Sequence, residues 1–330
     1  MSITTMSNLK EPTFIMLCGL PGSGKSTYAE KLQKYTWYNN THECIVHSSD
    51  KIREELNIDS TDRSSNSKVF QELHKRVKDD LKKGHNVVYD ATNINRKRRT
   101  AFLKELKNIP CYKVCTIVLT EYKNCIKNNL MRDNSVPIEV IKRMYKSWNT
   151  PYYFEGWNNI TLEYNDPKCH DVIDFLWNYF DYKQNNIHHQ HTLGLHSALT
   201  GLYCKHPLKN KEDKDQLLLV YSGFLHDIGK PFCKTYDAYN NAHYYRHENV
   251  SAYDSFFYKL PDGIDCLDLS ILINLHMIPF KCNAENDRGK IEYNYIRCKK
   301  KYGEDLFVKI MRLHGADLRA GTNVRIMWNH

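Results

Sequence analysis

The sequence predicts two domains, an α/β domain built on a parallel sheet flanked by helices and, after it, an all-α helical bundle. Three observations predict this. Short apolar strands alternate with polar helical stretches through the first half, apolar residues afterwards recur only at helical spacing, and the two patterns meet at a turn-like Asn165-Asp166-Pro167. The expected domains are therefore residues 1–165 and 166–330, and a chain of 330 residues suits two domains of ordinary size.

In chain order, the strands are expected at Phe14–Cys18, Cys44–His47, Asn86–Asp90, Cys111–Leu119 and Ile160–Tyr164. Each is a short apolar run, and helices such as Lys68–Lys83 and Arg96–Lys107 separate them. In the second half the spacing predicts helices over Val172–Tyr182, Thr192–Tyr203, Gln216–Phe224, Val250–Leu260, Leu267–Leu275 and Asp305–Leu313. Lys205–Lys214 and Cys282–Lys290 read as charged loops.

Composition narrows the class. The chain is 41% hydrophobic and 26% charged, enough apolar material for two cores. No stretch reaches the ~18 apolar residues of a membrane span, so no membrane partner is expected. Residues 1–12 lack the charged start, apolar run and cleavage site of a secretory signal. Eleven scattered cysteines without a C-x-x-C pair read as reduced thiols, and the expected location is cytoplasmic. The net charge is +9, and its excess sits early: 26 Lys and Arg face 18 Asp and Glu in residues 1–165, against 21 and 20 afterwards. Such a surface attracts a polyanion, or is a generic lysine-rich face. Histidine is skewed the other way, with four before residue 166 and twelve after, which directs the search for a metal site to the second half.

Gly19-Leu-Pro-Gly22-Ser23-Gly24-Lys25-Ser26 fits G-x-x-x-x-G-K-[ST] between a strand and a helix. Glycines let backbone N–H groups wrap phosphates, Lys25 reaches the β/γ-phosphates of ATP, and Ser26 holds Mg²⁺, with Thr27 completing the turn. Downstream come Ser49-Asp50-Lys51-Ile52-Arg53, Asp90-Ala-Thr-Asn93, Asn129-Leu-Met-Arg132 and Val136-Pro137 running to Met144-Tyr145-Lys146-Ser147. Over residues 14–165 these segments resemble the phage-type polynucleotide 5′-kinases, with one residue inserted in the Asp90 element and one fewer between Arg132 and Val136. The resemblance implies that Asp50 is the general base for a 5′-hydroxyl, that Arg53 contacts the acceptor phosphate and that Arg132 closes over ATP. Read without it, Asp50 is equally a helix N-cap and Arg132 a solvated charge. Arg96–Arg99 reads as a solvated helix face or the flank of a nucleic-acid groove.

In the second half, His226-Asp227-Ile-Gly-Lys230 ends an apolar helix, His196 lies one helix earlier, and His247, His276 and Asp317 follow. Imidazoles and carboxylates together suit divalent transition metals, Mn²⁺, Fe²⁺, Co²⁺ and Ni²⁺ among them. Any one of these histidines alone reads as a core or surface residue. Taken in order, the set resembles the HD phosphohydrolase superfamily over residues 180–320. The resemblance implies an HD-domain bundle holding one or two metals on His196, His226, Asp227, His247, His276 and Asp317. Asp227 would bridge them, Lys230 would face the substrate phosphate, and His189 would touch the site from outside. His314 reads as structural.

Together the resemblances imply a bifunctional end-healing enzyme acting on RNA or DNA ends, upstream of a nucleic-acid ligase, in a host cytosol if phage-encoded. It would phosphorylate 5′-hydroxyls with ATP and remove a 3′-phosphate or 2′,3′-cyclic phosphate with metal. Two alternatives stand beside it. One is a nucleoside or metabolite kinase fused to an HD nucleotidase; the other is an HD half kept as a sensor or binding module.

Overall fold

A computed structural model of the chain describes residues 11–34, 44–58, 64–185, 190–205 and 214–321. The chain divides into two compact units, Met1–Met144 with Pro151–Asp166, and Tyr145–Thr150 with Pro167–His330.

The first unit is a five-stranded sheet ordered β2-β3-β1-β4-β5, every pairing parallel. Its strands are β1 (Thr13–Cys18), β2 (Cys44–Ser48), β3 (Asn86–Asp90), β4 (Tyr112–Leu119) and β5 (Asn159–Tyr164). The helices are α1 (Lys25–Lys34), α2 (Ser49–Glu55), α3 (Asn66–Lys82), α4 (Arg96–Glu105), α5 (Tyr122–Leu130) and α6 (Ile138–Tyr145). All six residues of β1 are buried, because a central parallel strand is covered on both faces. On one face Ile15 and Leu17 pack with Ala29 and Leu32 of α1. On the other, Phe14 meets Phe102 at 5.6 Å and Trp157 at 6.5 Å. Helix α3 buries Val69, Leu73, Val77 and Leu81, a four-residue spacing that makes one apolar stripe.

The second unit is helical, with α7 (Val172–Asn178), α8 (Leu193–Cys204), α9 (Lys214–Leu225), α10 (Lys230–Cys233), α11 (His247–Asp254), α12 (Cys266–Leu275), α13 (Ile278–Asn283), α14 (Arg288–Tyr302) and α15 (Glu304–Gly321). Two expectations are corrected here. The second half is not wholly helical, since β6 (Thr235–Tyr236) and β7 (Ala242–His243) form a small antiparallel hairpin. Cys282–Lys290 is not one loop, because α13 runs to Asn283 and α14 starts at Arg288 behind an Asp287 N-cap. Most of the loop expected at Lys205–Lys214 lies outside the described residues.

Helices α8 and α9 cross closely. A Cβ on Gly223 would stand 2.7 Å from the Cα of Gly201, so only glycines allow the backbones to approach this far.

Tyr145–Thr150 belongs with the helices although it precedes β5. Trp148 is fully buried, edge-on to Tyr253 at 4.9 Å, and its indole N–H donates to Thr150 Oγ1 at 3.1 Å. Thr150 pairs with Ser270 at 2.8 Å, Asn249 Nδ2 donates to Lys146 O at 2.8 Å, and Tyr145 donates to Asp254. Trp148→Ala is therefore expected to destabilise the helical unit by about 3–5 kcal/mol, the usual cost of removing a buried large aromatic. The unfolding transition of the helical unit, followed by circular dichroism, should move to lower temperature; an unchanged transition would contradict this packing.

Candidate active sites

The loop between β1 and α1 is shaped by its glycines. Gly22 and Gly24 have φ of +77° and +86°, where L side chains are strained, and a Cβ on Gly22 would meet Cys125 O at 2.2 Å. Loop carbonyls are taken up by surrounding donors: Leu20 O by Lys25 Nζ at 2.7 Å, Gly22 O by Asn128 at 3.0 Å, and Ser23 O by Thr120 at 3.1 Å and Asn165 at 2.7 Å. Gly19 N–H donates to Thr92 O at 3.0 Å. Turning the carbonyls outward suits a loop whose N–H groups, with the first turn of α1 that includes Ser26 and Thr27, receive an anion.

Ser26 Oγ donates to Asp90 Oδ2 at 2.9 Å, a hydroxyl and a carboxylate side by side where a hard cation takes oxygen ligands. The sequence marked Asp90 as part of the strand-end element of the kinase resemblance without giving it a role; the structure places it against Ser26. Burial raises the Asp90 carboxyl above its ordinary range, against the lowering pull of Lys25 and Ser26. Burial likewise lowers the Lys25 ammonium, against Asp90.

Asp50 is not the N-cap of α2; Ser48 holds that position and Asp50 lies in the first turn. Its Oδ2 stands 3.5 Å from Arg132 Nη2, with the carboxylate 68% and the guanidinium 41% exposed. The two predicted residues are thus adjacent and open to solvent. Arg53 lies one turn from Asp50 and donates to Asn66 Oδ1.

The expectation for Arg96–Arg99 is corrected in part. Arg99 is 1% exposed and forms a two-point pair with Glu155, at 2.8 and 2.7 Å. It also donates to Asn93 O at 2.8 Å, while Asn93 Nδ2 donates to Leu17 O, also at 2.8 Å, which braces the loop after Asp90. Arg96 reaches Glu155 at 3.3 Å, whereas Lys97 and Arg98 are exposed.

In the helical unit all six predicted metal-site residues converge, drawn from on or beside five helices. His196 comes from α8, His226 and Asp227 from the end of α9, His247 from the start of α11, His276 from the residue after α12, and Asp317 from α15. Asp227 divides the group. Its Oδ2 lies 3.3 Å from His196 Nε2 and 3.1 Å from His226 Nε2, while its Oδ1 lies 3.1 Å from His247 Nε2. Asp317 Oδ1 closes the first set at 3.1 Å from His196, and His276 Nε2 closes the second at 3.2 Å from His247. Within these sets, His196, His226 and Asp227, and likewise Asp227, His247 and His276, bring their donor atoms within 4.8 Å of one another, a spacing compatible with a shared ion.

The imidazoles are oriented for this. Nδ1 of His226, His247 and His276 points at the carbonyls of Gly223, Tyr244 and Ile273, at 2.7, 2.8 and 2.7 Å. Donation of an Nδ1 proton to a carbonyl leaves the Nε2 lone pair facing inward. Burial, then the neighbouring His247 and His226, push His276 down to about 3, so its ring is neutral at pH 7. Burial works against ionisation of Asp227, yet His226 and Lys230 hold its carboxyl well below the usual range.

Lys230 Nζ lies 2.6 Å from Asp227 Oδ2 and donates to Gln184 Oε1 at 2.8 Å. Gln184 was missed in the sequence; it is 2% exposed and donates to His191 O at 3.0 Å, while Tyr244 donates to its carbonyl. A lone Gln before a polar loop carries no periodic or motif signal. His314 packs edge-on to Phe280 at 4.4 Å. His189 lies outside the described residues.

Comparison with known proteins supports the sheet unit. The AAA domain family model matches residues 14–151, under half of the chain. The L-seryl-tRNA(Sec) kinase of Methanococcus maripaludis is 28% identical over 156 residues, which is 45% of this chain and 58% of that protein. The chain thus spans just over half the length of that relative. The solved Pnkp1/Rnl/Hen1 complex aligns with a TM-score of 0.31 and 20% identity, over 38% of this chain and 41% of that one. Residues 14–151 are a P-loop domain, as the family match and the loop geometry agree. Among the described residues no helix is long and apolar enough to cross a membrane.

Proposed function

We propose that the chain heals nucleic-acid ends, phosphorylating a 5′-hydroxyl in its P-loop unit and removing a 3′-phosphate or 2′,3′-cyclic phosphate in its helical unit. The observation that carries this reading is the carboxylate of Asp227, which presents one oxygen to each of two histidine sets. Among the described residues such a set meets the donor requirements of one or two divalent transition metals, and beside a P-loop it pairs phosphate transfer with phosphate removal in one chain.

At the first site, Asp50 takes the proton of the attacking hydroxyl, and its exposure leaves room for an acceptor as large as a polynucleotide end. Arg53, three residues on along the same helix face, contacts the acceptor phosphate. Lys25 leaves Leu20 O for the transferred phosphoryl group, and Arg132 adds a second positive charge there. Ser26 and Asp90 hold Mg²⁺ when ATP is bound.

At the second site, divalent metals, when bound, would supply Lewis-acid charge and lower the pKa of a bound water, so that it loses a proton to give hydroxide, the nucleophile for phosphorus, near neutral pH. His196, His226 and Asp317 would hold one, His247 and His276 a second, and Asp227 would serve both. Lys230, steadied by Gln184, neutralises a phosphoryl oxygen. The name of the Methanococcus maripaludis relative, a seryl-tRNA kinase, accords with a kinase whose acceptor hydroxyl is carried on RNA.

The test is one RNA oligonucleotide bearing a 5′-hydroxyl and a 2′,3′-cyclic phosphate, incubated with γ-labelled ATP, Mg²⁺ and either Mn²⁺ or Ni²⁺. Label at the 5′ end together with opening or loss of the cyclic phosphate is the expected result. Turnover of ATP with both RNA ends intact would move a small-molecule acceptor to the front.

A further inference from the structure

Helix α14 stands apart from the rest of its unit in charge. Arg288–Tyr302 carries six Lys and Arg against one Glu, while the remainder of residues 166–330 carries fifteen against nineteen Asp and Glu. The helix also has two distinct faces. Ile291, Asn294, Tyr295, Cys298 and Tyr302, at helical spacing, are buried or half-buried. This inner face packs on its neighbours: Cys298 Sγ meets Cys282 Sγ at 3.8 Å, Tyr295 donates to Asn283 at 2.8 Å, and the Tyr295 ring lies 6.0 Å from Phe307.

The opposite face is turned to solvent. At its centre are Tyr293, 63% exposed, and Ile296, 60% exposed, with Arg297 and Lys300 on the same side. Lys290 and Lys301 edge this stripe, and both are exposed. Lys299 is drawn off to Glu304 at 2.6 Å, so the stripe proper consists of Lys290, Arg297, Lys300 and Lys301 around one aromatic ring.

We propose that this outer face of α14 binds the phosphodiester backbone of a single-stranded nucleic acid, with Tyr293 offering a stacking surface to a base. The inference rests on the end-healing reading above and assigns the helical unit its own polynucleotide contact. Cations spaced along an exposed helix, interleaved with a flat ring, match a strand that repeats a negative charge and a base at each step. A lipid surface fits less well, because a membrane-lying helix needs an apolar face to bury and that face of α14 already packs against α13 and α15. These two helices adjoin the metal cluster in sequence: α13 begins two residues after His276, and α15 carries Asp317.

The test measures binding of a short fluorescein-labelled single-stranded RNA by anisotropy over a salt series. It compares the full chain with a Lys290→Gln/Arg297→Gln/Lys300→Gln/Lys301→Gln variant and with Tyr293→Ala. For the charge variant the expected result is a salt slope smaller by about 3, from four lost phosphate contacts on a single strand, and a matching rise in KM for RNA ends. Tyr293→Ala is expected to weaken binding about tenfold with the slope unchanged. Turnover of a 2′,3′-cyclic mononucleotide, which cannot span the helix, should stay the same in both. RNA binding by the unaltered chain with identical affinity and slope in the variants would overturn the inference and leave the end-healing reading standing. Failure of the unaltered chain to bind RNA would overturn both. Loss of binding to phosphatidylserine vesicles with RNA binding intact would assign the face to lipid instead.

Discussion

Asp227→Asn is expected to strip the helical unit of divalent metal and to slow hydrolysis at the 3′ end by on the order of 10³-fold or more, with 5′ phosphorylation unchanged. The substitution keeps the shape and removes the charge. Both carboxylate oxygens are in use, with Oδ2 at 3.1 Å from His226 and Oδ1 at 3.1 Å from His247, so one neutral amide disables both histidine sets. The cluster's formal charge explains the size of the effect. Asp227 is one of two carboxylates in the cluster, which also holds the Lys230 ammonium; the variant halves the negative charge available to offset the cost of burying a divalent cation. Metal content of the purified variant, measured by plasma mass spectrometry beside both activities, checks this. Full metal occupancy with 3′-end turnover within tenfold of the parent would mean that Asp227 is not the shared ligand.

The reciprocal experiment is Lys25→Ala. Transfer of the γ-phosphoryl group to a 5′-hydroxyl should fall by on the order of 10³-fold while metal content and 3′-end hydrolysis remain. Lys25 is buried, and its ammonium is held 2.7 Å from Leu20 O, inside the loop rather than out in solvent. Removing it takes away the cation nearest the phosphates and the favourable neighbour of the buried Asp90 carboxylate. A single-turnover assay with labelled ATP separates the two readings of a lost activity. A defect confined to KM would assign Lys25 to ground-state binding, and a defect in the transfer rate assigns it to the transition state. Kinase activity within tenfold of the parent would remove the P-loop from the transfer chemistry.

The sheet was legible because its strands sit in the middle of a covered parallel sheet, where both faces must be apolar. Phe14–Cys18 consequently reads as an unbroken hydrophobic run, and Asn86–Asp90 carries the run Val87–Tyr89 between two polar residues. The six residues proposed as metal ligands were named through a family resemblance carried by their order, and their convergence rests on contacts that no local pattern encodes, the Gly201–Gly223 crossing among them. Helix α14 escaped notice because its inner face has one aliphatic residue, Ile291, among Asn, Cys and Tyr, so its periodicity hides within a charged segment. Arg99 misled for a related reason. Its partner Glu155 lies 56 residues away, and a buried ion pair looks on paper like a surface charge.

The ownership of Tyr145–Thr150 has a practical consequence for anyone who would recombine these activities. A gene cut at the apparent seam near residue 166 would yield a helical fragment lacking the indole that fills the space beside Tyr253, and a sheet fragment carrying that indole with no slot to receive it. The two units are therefore not interchangeable cassettes. A lineage that exchanged one for another would have had to carry this short insert across with the helices, and a split-protein design should graft it onto the helical half.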